Sequence, residues 1–136
     1  MFKIVTNLNG RTSVPETVKL STSSALRYAE GAAILIASGR AAACTATSKP
    51  LFISAQTYAP GESDVLIAYP ITEDLILEVP VNADPTALKV GQKVTLGFEN
   101  GQAATVTATT EGGVATIYDL QGAKAAGDRI LVRFVG

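Results

Sequence analysis

Short runs of strand-forming residues recur along the chain and limit its fold more than any other feature. Gly, Pro, Asn and Ser separate these runs, and such spacing is typical of antiparallel sandwiches and barrels. The sequence therefore predicts an all-β fold, a small antiparallel barrel or sandwich. The nine runs are Ala32–Ala37, Arg40–Thr45, Leu51–Ala55, Val65–Tyr69, Leu75–Val81, Lys93–Phe98, Ala104–Thr109, Val114–Leu120 and Arg129–Val135.

Alternating side chains indicate which face of several strands is buried. In Arg129–Phe134 every second residue is apolar, and two arginines lie between the apolar positions. A period of two is expected for a strand with one face in the core and one in water. The same period in Lys93–Phe98 predicts that Phe98 is buried. In Thr105–Thr109 it predicts that Thr105 and the other threonines are exposed.

Turn residues predict how some of these strands connect. Asn100–Gly101 separates two runs, and Asn-Gly is the strongest short signal for a hairpin. Glu111–Gly113 separates the next pair, so Val94–Leu120 is predicted to be a three-stranded antiparallel meander. Ser38–Arg40 is predicted to be another tight turn.

Helix-forming and proline residues predict where strands are absent or end. One or two short helices are expected, at Ser23–Glu30 and at Ala83–Leu88, because both segments carry start signals for a helix. Pro70 and Pro80 each follow an apolar run. Since proline cannot donate a backbone hydrogen bond, both are predicted to mark strand ends or edges.

The first 22 residues differ in composition from the rest of the chain. Met1–Thr22 holds six Ser or Thr, two Asn and only a weak apolar pattern, apart from Phe2, Ile4 and Val5. Chain ends are poorly ordered unless other residues hold them. We therefore expect an extended N-terminal arm over residues 1–22, either a plain tail or an arm that becomes ordered on a partner. A single β domain follows over residues 23–136.

The absence of histidine and the single cysteine exclude several kinds of catalytic and metal site. Ser-His-Asp and Cys-His triads need histidine, and Cys44 alone can form neither a Cys/His zinc site nor an intrachain disulfide. Cys44 lies among small residues and is predicted to be a buried structural side chain. Most carboxylates are next to turns, which favours solvated surface groups over catalytic ones. We predict that the chain is not an enzyme and has no cofactor or metal.

Charge and apolar length argue against two classes of partner. The chain has 11 basic and 12 acidic residues, without the basic excess typical of nucleic-acid binding or of attachment to a membrane surface. Its longest apolar run, Gly31–Ser38, is far shorter than the roughly 20 residues that span a bilayer. The first residues lack the pattern of a signal peptide, so synthesis in a cytoplasm is expected.

Low charge suggests that part of the surface is covered by a partner. Charged residues make up 17 % of the chain, whereas about 25 % is typical of soluble domains. The nearly continuous apolar run at Leu75–Val81 is expected either to be buried on both faces or to lie in an interface. For the second case, Leu75, Ile76, Leu77 and Val79 are the predicted subunit-interface residues.

Five Gly- and Thr-rich segments, taken in order, resemble small head decoration (cement) proteins of bacteriophages. The resemblance covers most of the chain between Glu30 and Phe134. The segments are Glu30–Ala41, Thr45–Pro50, Leu88–Leu96, Val106–Ala115 and Gly127–Phe134.

This resemblance implies a structural role on a virus particle. Such proteins are β-rich, bind the outside of an icosahedral head, often as trimers, and hold neighbouring major capsid subunits together. Some use an N-terminal arm that adds to the strands of the capsid. Here the contact end of that arm would be Phe2, Lys3, Ile4 and Val5.

The expected function is therefore that of a decoration protein, made in the host cytoplasm and located on the outer capsid surface of the virion. Its expected partners are the major capsid protein and further copies of itself in a homotrimer, with no nucleic acid and no membrane. Two alternatives remain open from the sequence. One is a minor β-rich subunit of a tail, baseplate or connector. The other is a small β-barrel that binds an oligosaccharide or an oligonucleotide.

Overall fold

A computed structural model of the chain describes residues 1–7, 17–22, 27–59 and 65–135. Within these ranges the regular secondary structure is entirely β. In chain order the strands are β1 (Lys3–Asn7), β2 (Val18–Ser21), β3 (Ala33–Ala37), β4 (Arg40–Ala43), β5 (Phe52–Ser54), β6 (Val65–Pro70), β7 (Leu75–Pro80), β8 (Lys93–Val94), β9 (Leu96–Glu99), β10 (Gln102–Val106), β11 (Ala115–Asp119) and β12 (Arg129–Arg133).

The predicted all-β fold is confirmed. Each of the nine predicted runs overlaps a strand, and the run Lys93–Phe98 overlaps two, β8 and β9, on either side of Thr95. Pro70 and Pro80 are the last residues of β6 and β7, as predicted.

Three antiparallel sheets make up the fold. The first sheet has the strand order β1-β7-β12-β11-β8, the second sheet has the order β2-β6-β5-β3-β4, and β9 pairs with β10 in a separate hairpin. The larger hydrophobic core draws residues from the inner face of the first sheet, from the hairpin and from β3 and β5. Full burial of each Val, Leu, Ile or Phe side chain contributes about 1.5–3 kcal/mol.

A smaller core lies on the other face of the second sheet. Its two edge strands, β2 and β4, approach each other, so the sheet curls around this core. The buried residues of the smaller core are Leu20, Tyr28, Ile34, Ala41, Tyr58, Leu66 and Ala68. The second sheet is therefore covered on both faces over much of its area.

Two tight turns have the backbone geometry that their sequences predict. Ser38 and Gly39 have φ values of 51° and 74°, and Asn100 and Gly101 have φ values of 51° and 78°. Positive φ at both central residues matches the twist of antiparallel strands. These turns join β3 to β4 and β9 to β10 in the predicted hairpins.

The predicted three-stranded meander is wrong in its third strand. β10 pairs with β9, but β11 pairs with β8 and β12 of the first sheet. The chain changes sheets at Thr95: the Val94 carbonyl accepts the N–H of Val114 at 2.9 Å, whereas the Leu96 N–H donates to Ala46 at 2.9 Å. Local alternation does not reveal this change of partner.

Irregular pairing in the β9–β10 hairpin also overturns two burial predictions. Thr105 is buried, because the register shifts between Ala103 and Thr105 and places Thr105 opposite Gly97, which has no side chain to exclude it. Phe98 is exposed, close to the Asn100–Gly101 turn at the end of the hairpin.

The predicted short helices do not form in the described residues. Ala83–Leu88 is a turn, in which the Thr86 N–H donates to the Asp84 carboxylate at 2.9 Å and the Leu88 N–H donates to the Pro85 carbonyl at 2.9 Å. The aspartate side chain satisfies a backbone donor outside a helix, which is the usual competition that aspartate offers. In Ser23–Glu30, residues 27–30 are not helical, and residues 23–26 lie outside the described ranges.

The described parts of Met1–Thr22 belong to the sheets. β1 pairs with β7 in the first sheet, and β2 pairs with β6 in the second. The expectation of an arm that is separate from a β domain beginning at residue 23 is therefore corrected for these two strands. Residues 8–16 of the predicted arm lie outside the described ranges.

Candidate interaction surfaces

The predicted contact end of the arm is divided between the core and the surface. Phe2 is only 3 % exposed, its ring centroid lies 5.7 Å from that of Phe134, and its backbone N–H donates to the Gly31 carbonyl at 2.9 Å. Ile4 is partly buried against the larger core, whereas Lys3 and Val5 are exposed. Only Lys3 and Val5 therefore offer large side-chain surface to a partner.

The four predicted subunit-interface residues are covered by their own chain. Leu75, Ile76, Leu77 and Val79 are all buried, because β7 lies between β1 and β12. Val132 is the cross-strand neighbour of Leu77 on the core face of the first sheet. The next residue, Arg133, therefore lies beside Ile76 on the other face of that sheet. The prediction that these residues form a subunit interface is wrong. The structure shows instead the other expected case, in which β7 is buried on both faces.

An exposed apolar surface occurs instead along β2 and β6. Val65 is 37 % exposed and Ile67 is 36 % exposed, and they lie opposite Ser21 and Lys19 of β2. Val18, on the other face of β2, is also exposed. Because Val18 lies on the opposite face from Val65 and Ile67, we call only Val65 and Ile67 the β2–β6 patch. The neighbouring strand β2 is an edge strand of the second sheet.

The sequence contains one sign of the β2–β6 patch that a simple alternation of apolar and polar residues does not explain. The run Val65–Tyr69 is apolar at every position. In a sheet with one face in water, half of those positions are expected to be polar. The two excess apolar residues, Val65 and Ile67, lie on the face of the second sheet that also carries Ile53 of the larger core, and they are the sign of this patch in the sequence.

Charged side chains gather on the outer face of the first sheet. Lys3 and Glu78 are cross-strand neighbours, as are Thr116 and Lys93, and Arg133 is the other neighbour of Thr116. The Arg129 Nη1 atom lies 3.7 Å from Glu78 Oε1. Asp119 shares this face, because its cross-strand neighbour Leu131 is also the neighbour of Glu78. We define the basic face as Lys3, Glu78, Lys93, Thr116, Asp119, Arg129 and Arg133.

A small cavity opens beside the tip of the β9–β10 hairpin. Its volume is about 240 Å³, and its lining includes Arg27, Tyr28, Asn100 and Gln102. The Ala29 N–H donates to Gln102 Oε1 at 2.5 Å, which holds the hairpin against this side of the second sheet. Small-molecule sites usually enclose about 300–1,000 Å³, so this cavity is small for an oligosaccharide.

Buried titratable groups near the cavity are held in their neutral forms. Burial raises the pKa of Tyr28 to about 12, with smaller contributions from Cys44 and Tyr58. Among the described residues, Tyr28 Oη has no hydrogen-bond partner, whereas Tyr58 Oη accepts the Thr22 hydroxyl at 2.9 Å. Burial also raises the pKa of the Cys44 thiol to about 12. Neither group has the depressed pKa of an activated nucleophile.

Cys44 should resist thiol reagents in the folded protein. With a pKa of about 12, its thiol stays protonated at pH 8, and its side chain is buried. We expect labelling by Ellman's reagent to be at least about 100-fold slower than in guanidinium, where the same thiol is exposed. Equal labelling rates in the two conditions would contradict the structure.

Among the described residues, no group of three or more His, Cys, Asp or Glu side chains is placed to hold a metal ion. In the same part of the chain, no helix has the length and hydrophobicity needed to cross a membrane. No protein-family model and no curated protein matches the chain.

Proposed function

We propose that this chain is a decoration protein of a bacteriophage virion, which binds the outside of the major capsid shell and stabilises it. The role is structural and not enzymatic. The five segments that resemble cement proteins contribute β3, β4, β8 and β12, together with the connections around them. An all-β domain with antiparallel sheets agrees with that resemblance.

The β2–β6 patch is the observation that carries this proposal best. It joins exposed apolar side chains to an edge strand in a chain with only 17 % charged residues. Many copies on one shell also multiply weak contacts. We place the contact between subunits of a homotrimer, or with the capsid, at this patch.

Sedimentation with undecorated phage heads tests the proposed function. Purified protein is mixed with heads that lack a decoration protein, and the pellet is analysed for bound chain. We expect saturable co-sedimentation at hundreds of copies per particle, and light scattering of the free protein then measures the trimer. Failure to co-sediment at saturating protein would contradict the role on the shell.

Replacing Ile67 with Asp should weaken attachment or trimer formation by at least about tenfold, because it puts a charge into the apolar patch. Val90→Asp is the matched control, since Val90 is 61 % exposed and lies outside the patch. Both variants should fold, as judged by circular dichroism. Equal loss of binding in the two variants would show that the patch has no special role.

The two alternatives make different predictions about stoichiometry and ligands. A tail, baseplate or connector subunit would be present in only a few copies per particle. The cavity beside the β9–β10 hairpin is the one observation that favours a ligand-binding β-barrel. Its volume is below the usual range for ligand sites, so we place this function second. A glycan array and a salt-dependent titration with an oligonucleotide test it.

A further inference from the structure

The basic face concentrates positive charge on a chain whose formal net charge is −1. Four cationic side chains of this face lie on three of the five strands of the first sheet, β1, β8 and β12, and Glu78 and Asp119 are its acidic members. Many acidic residues of the chain lie instead in turns, such as Glu73, Asp84, Glu111 and Asp128. The sheet topology, and not the overall composition, therefore creates this positive surface.

Pairing within the chain leaves part of this positive charge available. Glu78 forms its ion pair with Arg129 and also accepts a weak hydrogen bond from Gln121 Nε2 at 3.4 Å. The Arg133 guanidinium donates to the backbone carbonyl of Glu73 at 3.0 and 2.7 Å. This contact orients Arg133 at the end of β12. Asp119, at the end of β11, accepts the Gln121 N–H at 2.9 Å.

The spacing of these cations suits a protein surface that presents several carboxylates. Arg133 and Lys93 are separated by the single strand β11, which puts their backbones about 10 Å apart. That distance is close to the Debye length at physiological ionic strength, so their potentials overlap.

We infer that the basic face docks on an acidic surface of a partner protein. The inference deepens the proposed function and rests on it for the identity of that partner, which would be the shell. A protein surface fits better than a nucleic acid. A continuous polyanion would extend past the face and meet the acidic turns, whereas a local group of carboxylates can contact Lys93 and Arg133 without reaching those turns.

Titration of the isotope-labelled full chain with oligo-L-glutamate tests the face without phage heads. We expect amide chemical shifts to change in β1, β8, β11 and β12, and the changes to weaken from about 50 mM to about 300 mM NaCl. Shift changes elsewhere, or none at all, would overturn the inference. Tighter binding of oligothymidylate at the same salt would also overturn it, in favour of a nucleic acid.

Charge reversal at a single lysine tests whether binding depends on this face or only on the net charge of the chain. Lys93→Glu should weaken oligo-L-glutamate binding by at least about tenfold. Lys49→Glu makes the same charge change at an exposed position outside the sheets, and should weaken binding by less than about twofold. Thermal unfolding of both variants checks that the fold is kept. Equal weakening by the two substitutions would show that only the net charge matters.

The same two variants, mixed with undecorated heads, distinguish the two proposals. If the unmodified chain does not bind heads, the proposed function fails, and the oligo-L-glutamate results still decide whether the face takes acidic groups. If the unmodified chain binds heads and Lys93→Glu binds them equally well, the proposed function stands and the inference about this face is overturned.

Discussion

Replacing Phe2 with Ala should lower the free energy of unfolding by about 3–5 kcal/mol, the usual cost of removing a buried phenylalanine ring. Phe2 is 3 % exposed and packs on Phe134, so the substitution leaves a cavity in the larger core and loosens β1. Urea denaturation followed by circular dichroism measures the change. Small domains are stable by only about 5–15 kcal/mol, so this one residue contributes a large fraction of the total.

Val5→Ala provides the control for Phe2→Ala. Val5 lies in β1, three residues after Phe2, and is exposed, and substitutions at exposed sites usually change stability by less than about 0.5 kcal/mol. If Phe2→Ala also cost less than 1 kcal/mol, the N-terminal residues would behave as a free arm, and the pairing of β1 with β7 would be contradicted. Phe2→Leu should fall between the two and remain measurable if the alanine variant does not fold.

Replacing Gly113 with Ala should cost about 3 kcal/mol, the upper end of the range for overpacking. A Cβ atom at this position would overlap the carbonyl carbon and oxygen of Lys93, and it would lie 2.7 Å from the Val94 nitrogen. All three are backbone atoms, which cannot rotate away as a side chain can. We expect a lower urea midpoint and faster amide exchange at Val114, whose N–H donates to Val94.

Gly39→Ala separates this steric effect from backbone strain. Gly39 has a φ of 74°, and no atom lies within 4 Å of the position that a Cβ would occupy. Its substitution should cost only about 1 kcal/mol, the strain of a left-handed residue. Equal losses at the two glycines would show that the close contact between Gly113 and β8 is absent.

Local sequence signals predicted most of the strands correctly because they depend on neighbouring residues. Asn100–Gly101 specified its own turn, and the alternation in Arg129–Phe134 placed Ile130, Val132 and Phe134 in the core, where all three are buried. A turn type and a buried face each require only the residues of one short segment.

Long-range pairing explains what the sequence did not predict. Lys3–Asn7 forms β1 because it pairs with β7, which lies about 70 residues later in the sequence. The run at Leu75–Val81 is equally apolar whether its own chain or a second subunit covers it. Thr95 had no local signal for the change of sheet that separates β8 from β9. The candidate surfaces depend on such pairing, so the basic face could be located only in the structure, and the β2–β6 patch had only the apolar run Val65–Tyr69 as a sign in the sequence.

The contact between Phe2 and Phe134 also affects how the protein is made. The two rings come from opposite ends of a 136-residue chain, so the larger core cannot close on the ribosome before β12 has been synthesised. Contacts between residues far apart in sequence slow folding, because a long loop must be ordered first. During translation, Phe2 and the apolar residues of β7 would therefore stay exposed until β12 has been made. A chaperone that binds exposed apolar segments could bind the chain during this time.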